Sequence, residues 1–336
     1  MRRFAPILLL ISGLCAGEYD DLGFDVEDFE KKTFEADFLL RSDTRSVEKE
    51  RDGKEYRQSR NELNAKAVWQ EDGYAFYGDV SYHHVAETDK EGEGEGLVNE
   101  LYARIGDEKN SAEAGKRALR WGKGYAYSPV AFFERPKDPV YPERSKEGYI
   151  GAQAQMTRTT DSDLLKNYSA TLLYFPKDAQ NETLFEHTDS QWGARFYALL
   201  FDTDIDLIVA DGAGGADLST NLTEYLELHV EYAAKDDRTS HLAGISLETW
   251  YDLKLIAETY VTFDEEDNRY YKLSQKEPFG LYYSSIYYLK MINETRGLET
   301  VQAGFTYDFK NGFTIDVARL ETSEAVGGRV LVQWFY

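Results

Sequence analysis

Apolar and polar residues alternate with a period of two along most of this chain, the signature of strands with two unlike faces. In "AFYGDVSYHHVA", Phe76, Val80 and Tyr82 share a face with Gly78, while Asp79, Ser81 and His83 fall on the other. In "TEYLELHVEYAAK", Tyr225, Glu227, His229 and Glu231 oppose Leu226, Leu228, Val230 and Tyr232. "LETVQAGFTYDF" and "GFTIDVARLE" repeat the theme. The spacing predicts strands over 34–42, 56–69, 73–86, 97–106, 111–121, 148–158, 167–176, 191–201, 204–210, 221–234, 240–250, 253–263, 279–290, 298–308, 312–320 and 327–336. This is an all-β chain of about sixteen strands (14–18), and a single-chain transmembrane antiparallel β-barrel requires an even number.

The connections sharpen the choice between barrel and sandwich. Short turns such as "FDTD", "DEKN" and "FKNG" alternate with polar stretches such as "TDKEGEGEG" and "DGAGGADLSTN", read as long loops. Short turns at one end and long loops at the other are the asymmetry of an outer-membrane barrel. The pattern is least regular over 236–279, where "TWYD" is tight and "DEEDNRYYKLSQKEP" is long against expectation. A secreted β-sandwich would alternate in the same way. The unbroken run of hairpins, the aromatic residues at segment ends and the C-terminus, "GGRVLVQWFY", count against it. There Val330, Val332, Trp334 and Tyr336 alternate with Arg329, Leu331, Gln333 and Phe335. This resembles the terminal strand that the outer-membrane barrel-assembly machinery recognises, with Tyr336 in place of the commoner Phe. It is expected to face lipid and to close the barrel against Phe34–Leu40.

The first residues add an address. "MRRFAPILLLISGLCAG" has a basic start, an apolar run too short to span a bilayer, and small residues after it, so 1–17 reads as a signal peptide. A lipoprotein signal at Cys15 is the rival, but Leu14 precedes the cysteine where a small residue is expected. Cys15 is the only cysteine, so no disulfide framework stabilises the rest. Residues 18–33 form an acidic lead-in, either a periplasmic tail or a plug into the lumen, and 34–336 form the barrel. With 25 Tyr, 18 Phe and 5 Trp the chain is 14% aromatic, which suits strands with one lipid-facing side. The net charge of −23 argues against a nucleic-acid partner.

One segment breaks the alternation: "GKRALRWGKGYAYSPVAFFERPKDPVYPERSKEGY". From 122 to 147 it has no regular period, and it holds four of the seven prolines together with Tyr125, Tyr127, Phe132 and Phe133. A loop of this length in a compact protein is usually functional or disordered, and its aromatic residues argue for packing. The strand ending in Trp-Gly, the aromatic and proline-rich loop and the "KDP" element resemble the alginate-export and DUF1302-like group of proteobacterial porin-like barrels, over residues 115–150. The resemblance implies a single outer-membrane barrel with this loop folded into or over the lumen.

Charge makes the segment stand out. Lys116, Arg117, Arg120, Lys123, Arg135, Lys137, Arg144 and Lys146 outnumber Glu134, Asp138 and Glu143 in a strongly acidic chain. Cations aimed into a lumen favour anions. Lys116 and Arg120 are expected to share a lumen-facing strand side opposite Leu119 and Trp121. Lys116, Arg120, Lys123, Tyr125, Tyr127, Phe133, Arg135, Lys137 and Asp138 are thus the candidates for lining or narrowing the pore. The plainer alternative is that the cations pair with lumenal carboxylates and fasten the loop to the wall.

Nothing else competes as a site. His83 and His84 point to opposite faces, and His187, His229 and His241 are scattered, so no metal spacing appears. Glu91, Glu93 and Glu95 could offer oxygens to Ca²⁺ or Mg²⁺, but a solvated acidic tip explains them more simply. "GAGGAD" lacks the strand–helix context of a phosphate loop and reads as a flexible loop, and no serine has a triad-like partner. The chain reads as a porin-like channel for passive diffusion of small solutes, with a preference for anions, in the outer membrane. It carries no cofactor, metal or enzymatic activity, and its partners are outer-membrane lipid, the barrel-assembly machinery and small solutes. The alternative is a non-conducting barrel that serves as an anchor or binding surface. Oligomeric state is not legible.

Overall fold

A computed structural model describes residues 33–49, 53–140, 147–188 and 190–336. The expected signal peptide, the lead-in over 18–32 and the loop residues Glu143, Arg144 and Lys146 lie outside the described residues. The strands are β1 (Thr33–Lys49), β2 (Glu55–Glu71), β3 (Tyr74–Glu87), β4 (Glu93–Gly106), β5 (Asn110–Arg117), β6 (Tyr149–Thr159), β7 (Leu165–Tyr174), β8 (Trp192–Leu200) and β9 (Thr203–Ala210). They continue as β10 (Ala213–Thr223), β11 (Leu226–Lys235), β12 (Arg238–Glu248), β13 (Leu253–Val261), β14 (Asp267–Lys276), β15 (Ser284–Asn293), β16 (Leu298–Asp308), β17 (Phe313–Thr322) and β18 (Ala325–Phe335). Each pairs antiparallel with the next, and β18 pairs with β1, so one sheet closes on itself. Closure removes every edge, which is what allows a β-structure to sit in lipid.

The barrel has eighteen strands rather than sixteen, and the two missed are instructive. β10 is "AGGADLSTNLT", whose small and polar residues were read as a flexible loop and whose end was merged into the next segment. β14 is "DNRYYKLSQK", read as a long turn. In both, large aliphatic residues are few at the outward positions, Leu218 and Leu222 in β10 and Leu273 in β14, the rest being small, polar, charged or tyrosine. Their strand state is imposed by neighbours on both sides, because a gap in a closed barrel would leave backbone donors and acceptors unpaired. Glu93–Glu95, assigned above to a loop, likewise belong to β4.

The alternation becomes inside and outside. Phe76, Val80 and Tyr82 are exposed on the outer surface, while Asp79 and Ser81 are buried inside. Val330, Trp334 and Tyr336 are exposed and Arg329 is buried. β18 meets β1 from Leu39↔Phe335 to Lys49↔Ala325, with Phe38 and Tyr336 exchanging backbone hydrogen bonds of 2.8 and 2.9 Å. The seam is therefore displaced from the expected Phe34–Leu40 toward the far end of β1, which itself runs on to Lys49 rather than ending at residue 42.

The two rims differ in chemistry more than in loop length. Turns at the end that holds Thr33 and Tyr336 carry Phe201, Tyr225, Trp250, Tyr251, Tyr282 and Phe309, all exposed, as an interfacial aromatic girdle requires. Turns at the opposite end are acidic, with Asp211, Asp236, Asp237, Asp264, Glu265 and Glu324. Only two connections are long, residues 118–148 and 175–191, so the expected regular alternation of short turns and long loops is not found. Both lie at the acidic end. The second contains a short helix, α1 (Glu182–His187), whose Leu184 packs under the first.

Candidate functional site

β5 stops at Arg117, earlier than the predicted residue 121, and the chain turns into the lumen. The segment 118–148 contains Gly122, Gly124, Pro129, Pro136 and Pro139, and its described residues, 118–140 and 147–148, form no ladder of their own. Its backbone N–H groups must find acceptors elsewhere, since a buried amide without one costs about 1–3 kcal/mol. Carboxylates on the inner wall supply them. Glu231 of β11 accepts from Gly124 N at 2.6 Å, Ser128 Oγ at 2.8 Å and Val130 N at 3.5 Å. Glu258 of β13 accepts from Tyr125 N and from Ala126 N, the latter at 2.9 Å. Within the loop, Glu134 accepts from Trp121 N at 2.5 Å.

Apolar contacts hold the same segment from two sides. Leu119, Trp121, Val130, Phe132 and Phe133 form one cluster with Tyr149, Leu173, Phe175, Leu184, Ile208 and Ala233. Ala126 forms a second with Ile256, Tyr270 and Leu289, against which Tyr125 and Tyr127 pack. The described contacts of residues 118–140 thus run over the wall as far as β15. Phe133 stacks on Phe175 at 5.4 Å and meets Trp121 edge-on at 6.3 Å. A Cβ at Gly193 would lie 2.3 Å from the Phe133 ring, so glycine there makes the seat.

The predicted site residues separate accordingly. Tyr125 donates its hydroxyl to Glu227 at 2.9 Å and meets the His229 ring edge-on at 5.4 Å. Tyr127 stacks on Tyr260 at 5.0 Å. Burial pushes both phenols up to about 12, with the carboxylates of Glu227 and Glu258 adding to the effect on Tyr125 and Glu258 to that on Tyr127. Lys123 lies 3.6 Å from Asp206 and over the Tyr197 ring. Arg135 pairs with Glu147 at 2.9 Å and covers the Tyr149 ring, and Lys137 donates to Gly124 O. Asp138 is exposed and caps Val140 N at 2.9 Å.

Three expectations need correction. Phe133 is 1% exposed and belongs to the lumenal core, so it does not border an opening. Lys116 lies on the outer side of β5 with exposed Ala112 and Ala114, in register with Leu101 and Ile150, and pairs with Glu147 at 2.5 Å. Arg117 is the inward residue, paired with Glu113 and placed over Tyr102. A strand read in the wrong phase by one residue exchanges its two faces, and that is what happened here. Arg120, expected on the same strand, belongs to the loop and is exposed.

Sequence reasoning placed Glu227 and Glu231 on one face without assigning them a role, and it missed Asp206, Asp217 and Glu258. The available signal was a set of acids at lumen positions of consecutive strands opposite a loop poor in its own acceptors. His229, fully buried, joins Glu258 through Nε2 at 2.9 Å, and Gly244 leaves room for its ring. Among the described residues no group of three His, Cys, Asp or Glu is placed to hold a metal, so the Glu91, Glu93 and Glu95 option finds no support.

The wall that residues 118–140 leave uncovered, mainly β16–β18 and β1–β3, has a different surface. Beside the fully buried pairs of Arg41 with Glu62 and of Arg329 with Asp43 and Asp316, it carries two ion pairs in which the acid is buried and the base is the more exposed partner. Arg45 is 35% exposed against 2% for Asp43, and Lys66 29% against 6% for Asp79. At the loop's edge the same holds for Arg117 over Glu113 and for Arg195 and Lys123 over Asp206.

No family model matches the chain, and no curated protein matches it. Solved structures do. An engineered variant of the Rh. blastica porin aligns over 90% of this chain and 100% of its own, with 11% identity and a TM-score of 0.50. OccAB2 of Acinetobacter baumannii aligns over 90% of this chain and 98% of its own, with 8% identity and a TM-score of 0.56. A further barrel, from work on the asymmetric conductivity of engineered proteins, matches at 11% identity, 90% and 100% coverage and a TM-score of 0.50. At these identities the likeness establishes the architecture: this chain has the fold of porin-type β-barrels.

Proposed function

We propose that this protein is an outer-membrane channel through which small solutes diffuse passively, with the lumen narrowed by residues 118–140 and a preference for anions. One observation carries the anion preference: in five lumenal ion pairs, Arg45–Asp43, Lys66–Asp79, Arg117–Glu113, Lys123–Asp206 and Arg195–Asp206, the base is the more exposed partner and the acid lies behind it, whereas Arg41 and Arg329 are buried with their acids. A ladder that is nearly neutral in formal charge therefore presents a positive surface, and lumenal Arg and Lys set the preference of anion pores. Barrels of 16–18 strands leave an aqueous channel once their walls are lined, which supports an open path beside the loop. Conduction by a similar engineered barrel supports the same reading.

The outer-membrane location rests on the apolar outer face, the aromatic turns beside Thr33 and Tyr336, and the closing strand with Val330, Val332, Trp334 and Tyr336. That strand makes the barrel-assembly machinery and outer-membrane lipid the expected partners. The likeness of residues 115–150 to the alginate-export and DUF1302-like group supports the inward loop and no particular solute. No cofactor and no enzymatic step enters the proposal.

The test is conductance of the purified protein in planar bilayers under a KCl gradient. Stepwise conductance with a reversal potential of the sign for chloride preference is the expected result. A barrel that stays closed overturns the channel and leaves the anchor or binding surface; potassium preference overturns the anion part alone.

A further inference from the structure

A groove of about 840 Å³ lies on the outer face of β4–β9, on the side of the wall away from the lumen. Its floor is alanine: Ala112 faces Ala154 across the β5–β6 ladder, and Ala170 and Ala194 continue it on β7 and β8. Its walls are the exposed side chains of Ile105, Met156, Leu172, Phe196 and Leu207. On β3, β11 and β17 the outward positions instead carry large side chains such as Phe76, Tyr82, Tyr232 and Val317. Methyl groups flanked by large apolar side chains make the surface concave.

The groove reaches the aromatic rim at Gly106 and Asn110, and there it meets a base without an acid. Arg158 lies on the outward side of β6, two residues beyond Met156. Its Nη1 donates to the carbonyls of Lys109 and Thr157 at 2.8 and 2.7 Å, and its Nη2 donates to Asn110 Oδ1 at 3.1 Å. Among the described residues it makes no ion pair: Asp107, which feels its charge, gives its carboxylate to the amides of Lys109 and Asn110. Lys166, at the same rim on β7, does have a partner, Asp202 at 2.5 Å. Arg158 therefore keeps N–H groups for an acceptor from outside the chain, and its planar fork suits a phosphate.

Both features call for one molecule. An acyl chain fits an apolar trough on a lipid-facing wall, and a phosphate fits the guanidinium at its mouth. Short turns mark this rim as the periplasmic one, where the leaflet is built of phospholipid. We propose that this face holds a retained glycerophospholipid, with an acyl chain over Ala112, Ala154, Ala170 and Ala194 and the phosphate on Arg158. The inference goes beyond the channel reading and depends only on the barrel lying in a membrane.

Native mass spectrometry of the barrel released from micelles that contain dioleoyl phosphatidylglycerol tests it. The wild type is expected to keep the phospholipid. Arg158→Gln should weaken that binding about tenfold, the scale of a charge-assisted hydrogen bond. It should not alter the weaker binding of dioleoylglycerol, which has the same chains and no phosphate. Ala154→Phe with Ala194→Phe fills the floor and should remove both lipids; Ala303→Phe adds a ring to the outward side of β16, across the barrel, and should remove neither. Wild-type retention of phosphatidylglycerol by the Arg158 and filled-groove variants overturns the site. So does a wild type that emerges as a lipid-free dimer, because a second copy then covers this face, and so does a preference for lipopolysaccharide, which belongs to the other leaflet. None of these readouts needs ion flow. A closed barrel that keeps lipid in this pattern sustains the site while the channel reading fails, and a conducting barrel that keeps none does the reverse.

Discussion

The inner wall of this barrel has two halves that use the same residue types for opposite ends. Over β9–β13 the acids Asp206, Asp217, Glu231 and Glu258 are nearly inaccessible, and two of them serve as acceptors for the backbone of a loop. Over β1–β3 and β16–β18 the acids are equally buried, but Asp43 and Asp79 lie behind the more exposed Arg45 and Lys66, and Arg41 and Arg329 are buried with their acids. A buried carboxylate is costly unless its lone pairs are satisfied. In one half a segment without regular structure satisfies those of Glu231 and Glu258 and is thereby fixed in place; in the other, side-chain cations pair with the acids. The difference explains why a loop rich in Lys and Arg need not itself set selectivity: Lys123 and Arg135 are consumed in pairing, and Lys137 in a bond to the loop's own backbone.

The largest expected effect comes from removing the acceptors of the first half. Glu231→Ala with Glu258→Ala strips partners from five loop donors, a loss of on the order of 5 kcal/mol of anchoring. The loop should leave the wall, so single-channel conductance rises and trypsin cuts at Lys123 and Lys137. Glu62→Ala, on the other half, should leave the trypsin pattern unchanged. Equal protection in all three proteins would mean that the carboxylates do not hold the loop.

These assignments show what the chain's pattern could and could not disclose. Period-two alternation is a local property, so strands with apolar outer faces, such as β3, β11, β16 and β17, were legible together with which residues point inward. β10 and β14 were not, because their strand state comes from closure of the ring and not from their own residues. The loop was legible as an interruption with glycine, proline and aromatics. Its wall was not, since Glu231 and Glu258 lie more than a hundred residues from the amides they bind, and nothing local distinguishes such an acid from one paired with arginine. The phase error at Lys116 has the same root. Gly115, at φ 133°, allows β5 to end close to Tyr102, and the lumen cluster then draws in Leu119 and Trp121, which alternation alone assigns to lipid.

A smaller effect separates apolar from polar attachment within the first half. Phe133→Ala removes a fully buried ring and should cost about 3–5 kcal/mol of loop packing, with some return of conductance noise as the segment loosens at Trp121. Gly193→Val attacks the same seat from the wall, because its side chain would overlap the Phe133 ring. Combined with Phe133→Ala it should be less damaging than alone, as the vacated ring volume accepts the added methyl groups. Strictly additive losses in the double variant would show that Phe133 and Gly193 do not share one site.

The smallest effect is a pH dependence, and it too should appear in one half only. Burial and the Glu258 carboxylate push the Tyr127 phenol up to about 12, so the packed loop favours its neutral form over that of a solvated tyrosine, which titrates near 10. A folded value raised above the free one gives a contribution that is complete below about pH 10 and is lost as the pH climbs toward 12. Protease protection of the loop should therefore be flat from pH 7 to 10 and weaken above it. Tyr127→Phe keeps the stack on Tyr260 while removing the titrating group, so its protection should stay flatter over the same interval. The chloride-to-potassium permeability ratio proposed for the uncovered wall should not follow Tyr127→Phe at any pH. A parallel change in that ratio would mean that loop and wall act as one unit, and the division between the two halves would have to be abandoned.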